Sequence, residues 1–355
     1  MTSRRAALRA LALAPALLAL HARARAWVSR SLVDHPLVGS VWDARDRRFI
    51  TRGDLDAACA RADLVLIGET HDNPDHHRLQ LDLIEAMVGA GRKPAVAMEQ
   101  LDREHQAALD RARAEQPRDA GYVVDAARFD RRGWHWAFYE PIVAFALRND
   151  LPLVAANLSR RDAFAVVERG YDALGQDVAV RLGLSQPLAS ALAAAIETAV
   201  RDGHCGKLPE RVVPRMAAAQ RARDAVMADA LLARASGGAV LIAGNGHVRR
   251  DLGVPLQLAM RAPDRSVLAI GIVEVADGAA AAEDYVAPAA GAAPRLDVAV
   301  FTPRTERPDP CADVAPPPGA PPGQGHDVGI GVTLSAAPSA AAPRPGLSDR
   351  KMARL

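Results

Sequence analysis

Short apolar runs recur along the chain, each separated from the next by a stretch with helical spacing. Residues 64–67, 95–98, 153–155, 239–242 and 267–275 are apolar segments of strand length. Most are continuous rather than alternating, which suits strands covered on both faces, as in parallel sheets. Between them the period lengthens. Asn73 and Pro74 form a helix cap and start, and Leu79, Leu83 and Met87, with Ile84 and Val88, follow at i, i+4 spacing. This alternation predicts an α/β fold, with a central, mostly parallel sheet and flanking helices. One region departs from it: residues 187–235 are helical in pattern with no strand. That is long for a crossover and predicts an all-helical insertion or lid. Residues 296–301 supply a candidate last strand. No internal repeat is present.

The two ends read differently from the middle. Residues 1–26 combine Arg4 and Arg5, an apolar run over 11–20 too short to span a bilayer, and the small-x-small site Ala24-Arg25-Ala26. This reads as an export signal, either an ordinary secretory one or, from Ser3-Arg4-Arg5 and Leu8, a twin-arginine one. No cysteine stands at the cleavage point, so a lipid anchor is not expected. The signal carries five arginines and no acid, and its removal takes the net charge from +2 to −3. The expected mature protein is exported, periplasmic or extracellular, without a membrane anchor. At the other end, 13 of the 25 prolines fall between Pro288 and Pro345, among alanines and glycines. Residues 314–355 therefore read as a disordered tail, since they cannot bury enough surface to offset their ordering entropy. The folded domain is expected over 31–313.

Basic and acidic residues balance at 44 against 42, which gives no reason to expect nucleic acid as a partner. Aromatics are only 4% of the chain, so Leu, Val, Ile and Ala must fill most of the core. Of Cys59, Cys205 and Cys311, the latter two lie in loop-like sequence and are the preferred disulfide in an oxidising compartment.

In open parallel sheets, ligands bind beyond the carboxyl ends of the strands. Here those ends carry Gly68-Glu69-Thr70-His71, then Met98-Glu99-Gln100, then Asn157-Leu158-Ser159-Arg160, and finally Gly244-Asn245-Gly246-His247. Any one of these polar residues is more often a turn former or cap than a site. Four strand ends agreeing predict a pocket holding Glu69, His71, Glu99, Asn157 and His247. His76 and His77, in the first turn of a helix, read as solvated, and His105 and His135 have no evident partner.

These motifs carry a resemblance. The run from Leu66 to His77, with Ala97-Met98-Glu99-Gln100, the segment from Trp136 to Tyr139 with Pro141, Asn157 and Arg160, continues through His204-Cys205-Gly206, Gln220, Arg223 and Asp224. It closes on Gly244-Asn245-Gly246-His247. Together they resemble ChaN-like haem-binding proteins, grouped with the Tiki, TraB and erythromycin esterase proteins. The resemblance spans about residues 38–311. It implies haem as cofactor, a role in iron acquisition or haem handling, and a tyrosine iron ligand at a subunit interface, hence a homodimer, with envelope transport components as partners. Tyr139 lies in a family-like segment, whereas Tyr122, Tyr171 and Tyr285 do not. ChaN-like proteins are often lipoproteins; this chain lacks the acceptor cysteine.

Two chemistries fit the residues. For haem, Met216, Gln220, Arg223, Met227 and Leu231 share one helix face, with methionines suited to an irregular apolar ligand and Arg223 to a propionate; Tyr139, Arg160, Asn245 and His247 complete the set. The same spacing also describes an ordinary core face. Alternatively, Glu69, His71, Glu99 and His247 are the residue types that hold a divalent metal and activate a water, which would make a metal-assisted hydrolase. There is neither an HExxH helix nor a G-x-S-x-G elbow, so a zincin or serine hydrolase is disfavoured.

Overall fold

The computed structural model describes residues 26–234, 237–287, 294–309 and 311–312. The expected export signal and tail lie outside the described residues, apart from Ala26.

Among the described residues eight strands form one sheet: β1 (Val41–Asp43), β2 (Arg48–Ile50), β3 (Leu64–Glu69), β4 (Ala95–Asp102), β5 (Leu153–Asn157), β6 (Ala239–Gly244), β7 (Val267–Glu274) and β8 (Val298–Thr302). Their order is β2-β1-β8-β7-β3-β6-β4-β5. β8, β7, β3, β6, β4 and β5 run parallel, and β1 pairs antiparallel with both β8 and β2. All five apolar runs of the sequence are strands of its parallel part. Among the described residues eleven α-helices connect them: α1 (Arg52–Arg61), α2 (Pro74–Gly89), α3 (Gln106–Glu115), α4 (Ala120–Ala126), α5 (Trp136–Arg148), α6 (Arg160–Arg169), α7 (Gln176–Arg181), α8 (Ser190–Gly203), α9 (Val213–Arg234), α10 (Val254–Arg261) and α11 (Ala282–Val286). α2 starts as its sequence dictates, with the Asn73 side chain accepting from the Asp75 N–H and Pro74 in the first turn.

Alternate side chains of each strand feed two cores. On one face Val65, Ile67, Met98 and Ile242 meet Leu83, Ile84 and Met87 of α2 and Ile142 and Val143 of α5. On the other, Leu64, Leu66, Ala97 and Leu241 meet Met227, Ala228 and Leu231 of α9 and Leu258 of α10. The strandless region is longer than its most obvious helical stretch, because α6 and α7 precede α8 and α9 without a strand. α9 lies on the sheet, and its apolar residues are buried around most of its circumference, Ala217, Ala222, Val226, Met227 and Leu231 among them. α8 packs on α9 rather than on the sheet. Cys205, just past α8, is bonded to Cys311, and Cys59 is a buried free thiol that burial pushes up to about 12. Among the described residues no helix is long and apolar enough to cross a membrane.

Candidate functional site

Parallel register brings the strand ends together. Glu69 is level with Gly244 across the β3–β6 pair, and Gly68 is level with Ala243 and Gly271. A Cβ on Gly68 would stand 2.2 Å from Asn245 Oδ1, so only glycine lets the loop after β6 close over β3. The β4–β5 register shifts between Met98 and Asp102, and this irregularity re-aims Glu99 and Gln100 at the strand end.

Glu69 is the hub. It is buried and accepts from Tyr139 Oη (2.5 Å), His71 Nδ1 (2.8 Å), Gln80 Nε2 (2.8 Å) and Gln100 Nε2 (3.3 Å). Burial alone would raise its pKa. The charges of His77 and His71 and the bonds from His71 and Tyr139 outweigh it and hold the carboxyl at about 2. Burial also opposes charge on His71, but the Glu69 bond and the nearby Glu99 charge raise its pKa above the ordinary value.

A second unit faces the first across Gly244. Glu99 Oε2 accepts from the Gly244 N–H at 2.8 Å, and its Oε1 lies 3.4 Å from His247 Nε2 and 3.7 Å from Arg223. His247 Nδ1 is 2.6 Å from Asp224 Oδ1. Against the burial penalty, Glu99 and Asp224 raise His247 to about 10, so it is an imidazolium between two carboxylates at neutral pH. Glu99 is held well below the usual carboxylate range, burial being outweighed by His247, His71 and Arg223; Asp224 is raised by burial.

Glu69, His71, Glu99 and His247 therefore converge as expected, but they fill the strand ends instead of lining a void. A Cβ on Gly244 would already lie 2.9 Å from His71 Cε1 and 3.1 Å from its Nε2. Each histidine Nδ1 is committed to a carboxylate, and among the described residues no three His, Cys, Asp or Glu side chains are placed to hold a metal ion.

The remaining expected residues scatter. Tyr139 is wholly buried, its hydroxyl proton directed at Glu69. Met227 is wholly buried in the sheet core, which corrects its reading as a ligand contact: α9 is a core helix here. Met216 packs with α8, Gln220 Nε2 lies 3.2 Å from His247 Nδ1, and Arg160 is exposed over the Phe164 ring. Asn245 donates to the Ile272 carbonyl at 2.7 Å, and Asn157 is buried with its Oδ1 unpartnered. His76 and His77 are buried, contrary to their solvated reading. His76 accepts from the Thr70 N–H and faces Thr302 Oγ1, both at 2.8 Å, and burial drives its pKa well below the ordinary value. His77 Nε2 donates to the His71 carbonyl at 2.9 Å.

The open space lies beside the cluster. A groove of about 730 Å³ begins at His71 and Asp72 and runs along residues 131–138. Trp134, Trp136 and Phe138 are half-buried in it, and Arg131, Arg132 and His135 are exposed. The Trp134 ring stands edge-on to His71 at 4.7 Å, and His135 rests on Phe138 at 4.3 Å. The spacing of the apolar runs gave no hint of this groove. A second, much smaller cavity of about 30 Å³ lies between α8, α9 and the loop after β6, room for roughly a couple of waters but not for a cofactor.

The fold is similar to a Campylobacter jejuni structure described as cofacial heme binding to ChaN, at 20% identity and a TM-score of 0.58, covering 73% of this chain and 95% of that one. Weaker likenesses are to an erythromycin esterase in its open conformation (13% identity, TM-score 0.38, 64% and 77% covered) and the type III effector HopBA1 (14% identity, TM-score 0.36, 70% and 91% covered). No curated protein matches the sequence. The family model described as haem-binding uptake, Tiki superfamily, ChaN matches residues 56–258, more than half of the chain, and the chain belongs to that family.

Proposed function

We propose that this chain is an exported haem-binding protein that takes up or handles haem in the bacterial envelope, and that the groove along residues 131–138 is its haem site. The groove itself carries the reading. Its volume lies within the roughly 300–1,000 Å³ of cofactor pockets. Trp134, Trp136 and Phe138 offer a flat apolar wall to a porphyrin, and Arg131 and Arg132 offer cations to propionates. Export accords with the Cys205–Cys311 disulfide, which needs an oxidising compartment. An open groove covers only one face of a flat ligand. The exposed face suits transfer to an envelope transport component or pairing with a second copy, in the cofacial manner of the Campylobacter protein's description.

A metal-assisted hydrolase is not proposed, because the residues it would use are already bonded to one another. Haem, when bound, would supply redox-active iron; Trp134, Trp136 and Phe138 would grip it and exclude water from one face, with Arg131 and Arg132 at its propionates.

Titrating purified protein with hemin should produce a Soret band that saturates at a fixed stoichiometry. Replacing Arg131 and Arg132 together with alanine should weaken binding about tenfold to a hundredfold, the equivalent of one charge-assisted contact of about 1.5–3 kcal/mol. A saturating Soret change that is equal in wild type and the double variant would place the haem elsewhere.

A further inference from the structure

We infer that Asp75 and Arg78 form a docking site for the chain end that export processing creates, with Trp27 as the first residue of the mature protein. The assignment rests on the exported reading. Asp75 stands in the first turn of α2, wholly buried, outside both the strand-end cluster and the groove. Burying a carboxylate is costly unless its oxygens are bonded. Its partners come from far upstream in the chain: it accepts from the Val28 N–H at 3.1 Å and from the Ser29 N–H at 2.8 Å. Two successive backbone N–H groups on one anion recognise main chain and not side chains. Val28 is accordingly 59% exposed.

Arg78, one turn further along α2, completes the clamp. Its guanidinium lies 3.0 Å from Asp75 Oδ1, stands over the Trp27 ring at 5.5 Å and donates to the Ala26 carbonyl at 3.2 Å. Ser29 Oγ donates to Asn73 Oδ1 at 3.1 Å and faces Thr305 Oγ1, and Ser31 bridges to Arg304. The chain is thus tied to the fold from Trp27 onward, whereas Ala26 is exposed. A signal peptidase needs small residues one and three positions before the bond it cuts, and must draw the chain around that bond into its own cleft. Ala24 and Ala26 are those residues, and the bonds further along, Trp27–Val28 and Val28–Ser29, are held on Asp75. Hydrolysis of the Ala26–Trp27 bond adds one water and leaves a carboxylate on Ala26 and an α-ammonium on Trp27. Arg78 gives up the Ala26 carbonyl and keeps Asp75 and Trp27. The new end stays docked beside the loop whose His71 and Asp72 border the groove.

The test expresses the full precursor in an exporting bacterium and takes the protein from its periplasm. Intact mass and N-terminal sequencing should give Trp27 as the first residue. In that protein the Val28 and Ser29 amides should exchange slowly with deuterium, as followed by NMR. Asp75→Ala should speed their exchange about tenfold to a hundredfold, the effect of losing a bond to a charged group. Should Asp75→Ala fail to fold, Arg78→Ala, at a half-buried position, should still speed it several-fold. Periplasmic protein that begins at another residue, or wild-type Val28 and Ser29 amides that exchange as fast as those of an unfolded peptide, would overturn the docking site while leaving export in place. A chain that keeps residues 1–26 and stays in the cytoplasm would instead overturn the exported reading itself.

Discussion

Replacing Glu69 with alanine is expected to destabilise the protein by about 3–5 kcal/mol, the usual cost of removing one partner from a buried charged pair. The carboxylate is the shared acceptor for Tyr139, His71, Gln80 and Gln100; without it the buried Tyr139 and Gln100 and the half-buried His71 lose that acceptor together, and Gln80 keeps only the Ile67 carbonyl. Tyr139→Phe deletes one donor and leaves the carboxylate three others, so its cost should be the smaller, about 1.5–3 kcal/mol for one bond to a charged group. Because Tyr139 lies beneath the groove and not in it, Tyr139→Phe should bind hemin like wild type. Urea unfolding monitored by circular dichroism gives both values. A Glu69→Ala variant within 1 kcal/mol of wild type, a margin of roughly one ordinary hydrogen bond, would show that the hub is dispensable.

Stability should peak near pH 6.5, with both limbs set by the strand-end cluster. The folded pKa values of His71 and His247 are raised above 6.5, the latter to about 10. Groups raised on folding stabilise fully below their unfolded pKa, and that contribution fades as pH climbs from 6.5 through 10. His76 and His77 are lowered from 6.5, so their contribution is present above that value and is lost on acidification. Glu69 and Glu99, lowered from 4.5, add a further loss below that pH; Asp224, raised from 3.8, offsets part of it. His247→Gln should flatten the alkaline limb, as seen in melting temperature measured from pH 4 to pH 10. An alkaline limb that is unchanged in His247→Gln would mean the imidazolium contributes nothing to stability.

The parallel part of the sheet was legible because its strands are buried on both faces and so appear as unbroken apolar runs; β1 and β2, three residues each and β2 with two of its residues exposed, carry no such run and were not legible. The cluster was legible for a related reason: parallel strands deliver their last residues to one edge, and polar residues at four such ends stand out. Its state was not. Whether Glu69 and His71 line a cavity or close one depends on side chains from α2 and α5, Gln80 and Tyr139, which are far away in sequence. α9 shows the limit of a stripe: Met227 is wholly buried in the sheet core, whereas Met216, Gln220 and Arg223 of the same stripe are half-buried, the last two beside His247 and Glu99, and spacing alone does not separate a core residue from one at a site. The groove had a signal that periodicity overlooks. Two of the chain's four tryptophans fall within residues 131–136, with two arginines and a histidine, in a sequence where aromatics make up only 4%. Such local enrichment of costly, exposed residue types in a loop points to a surface that contacts something.

The most direct test of haem binding in this groove is a crystal structure of the hemin complex with data collected at the iron absorption edge. The expected result is an anomalous peak in the groove, with the porphyrin against Trp134, Trp136 and Phe138 and its propionates at Arg131 and Arg132. An iron peak at the α8–α9 end of the molecule, or bonded to a tyrosine with the groove free of porphyrin, would contradict it.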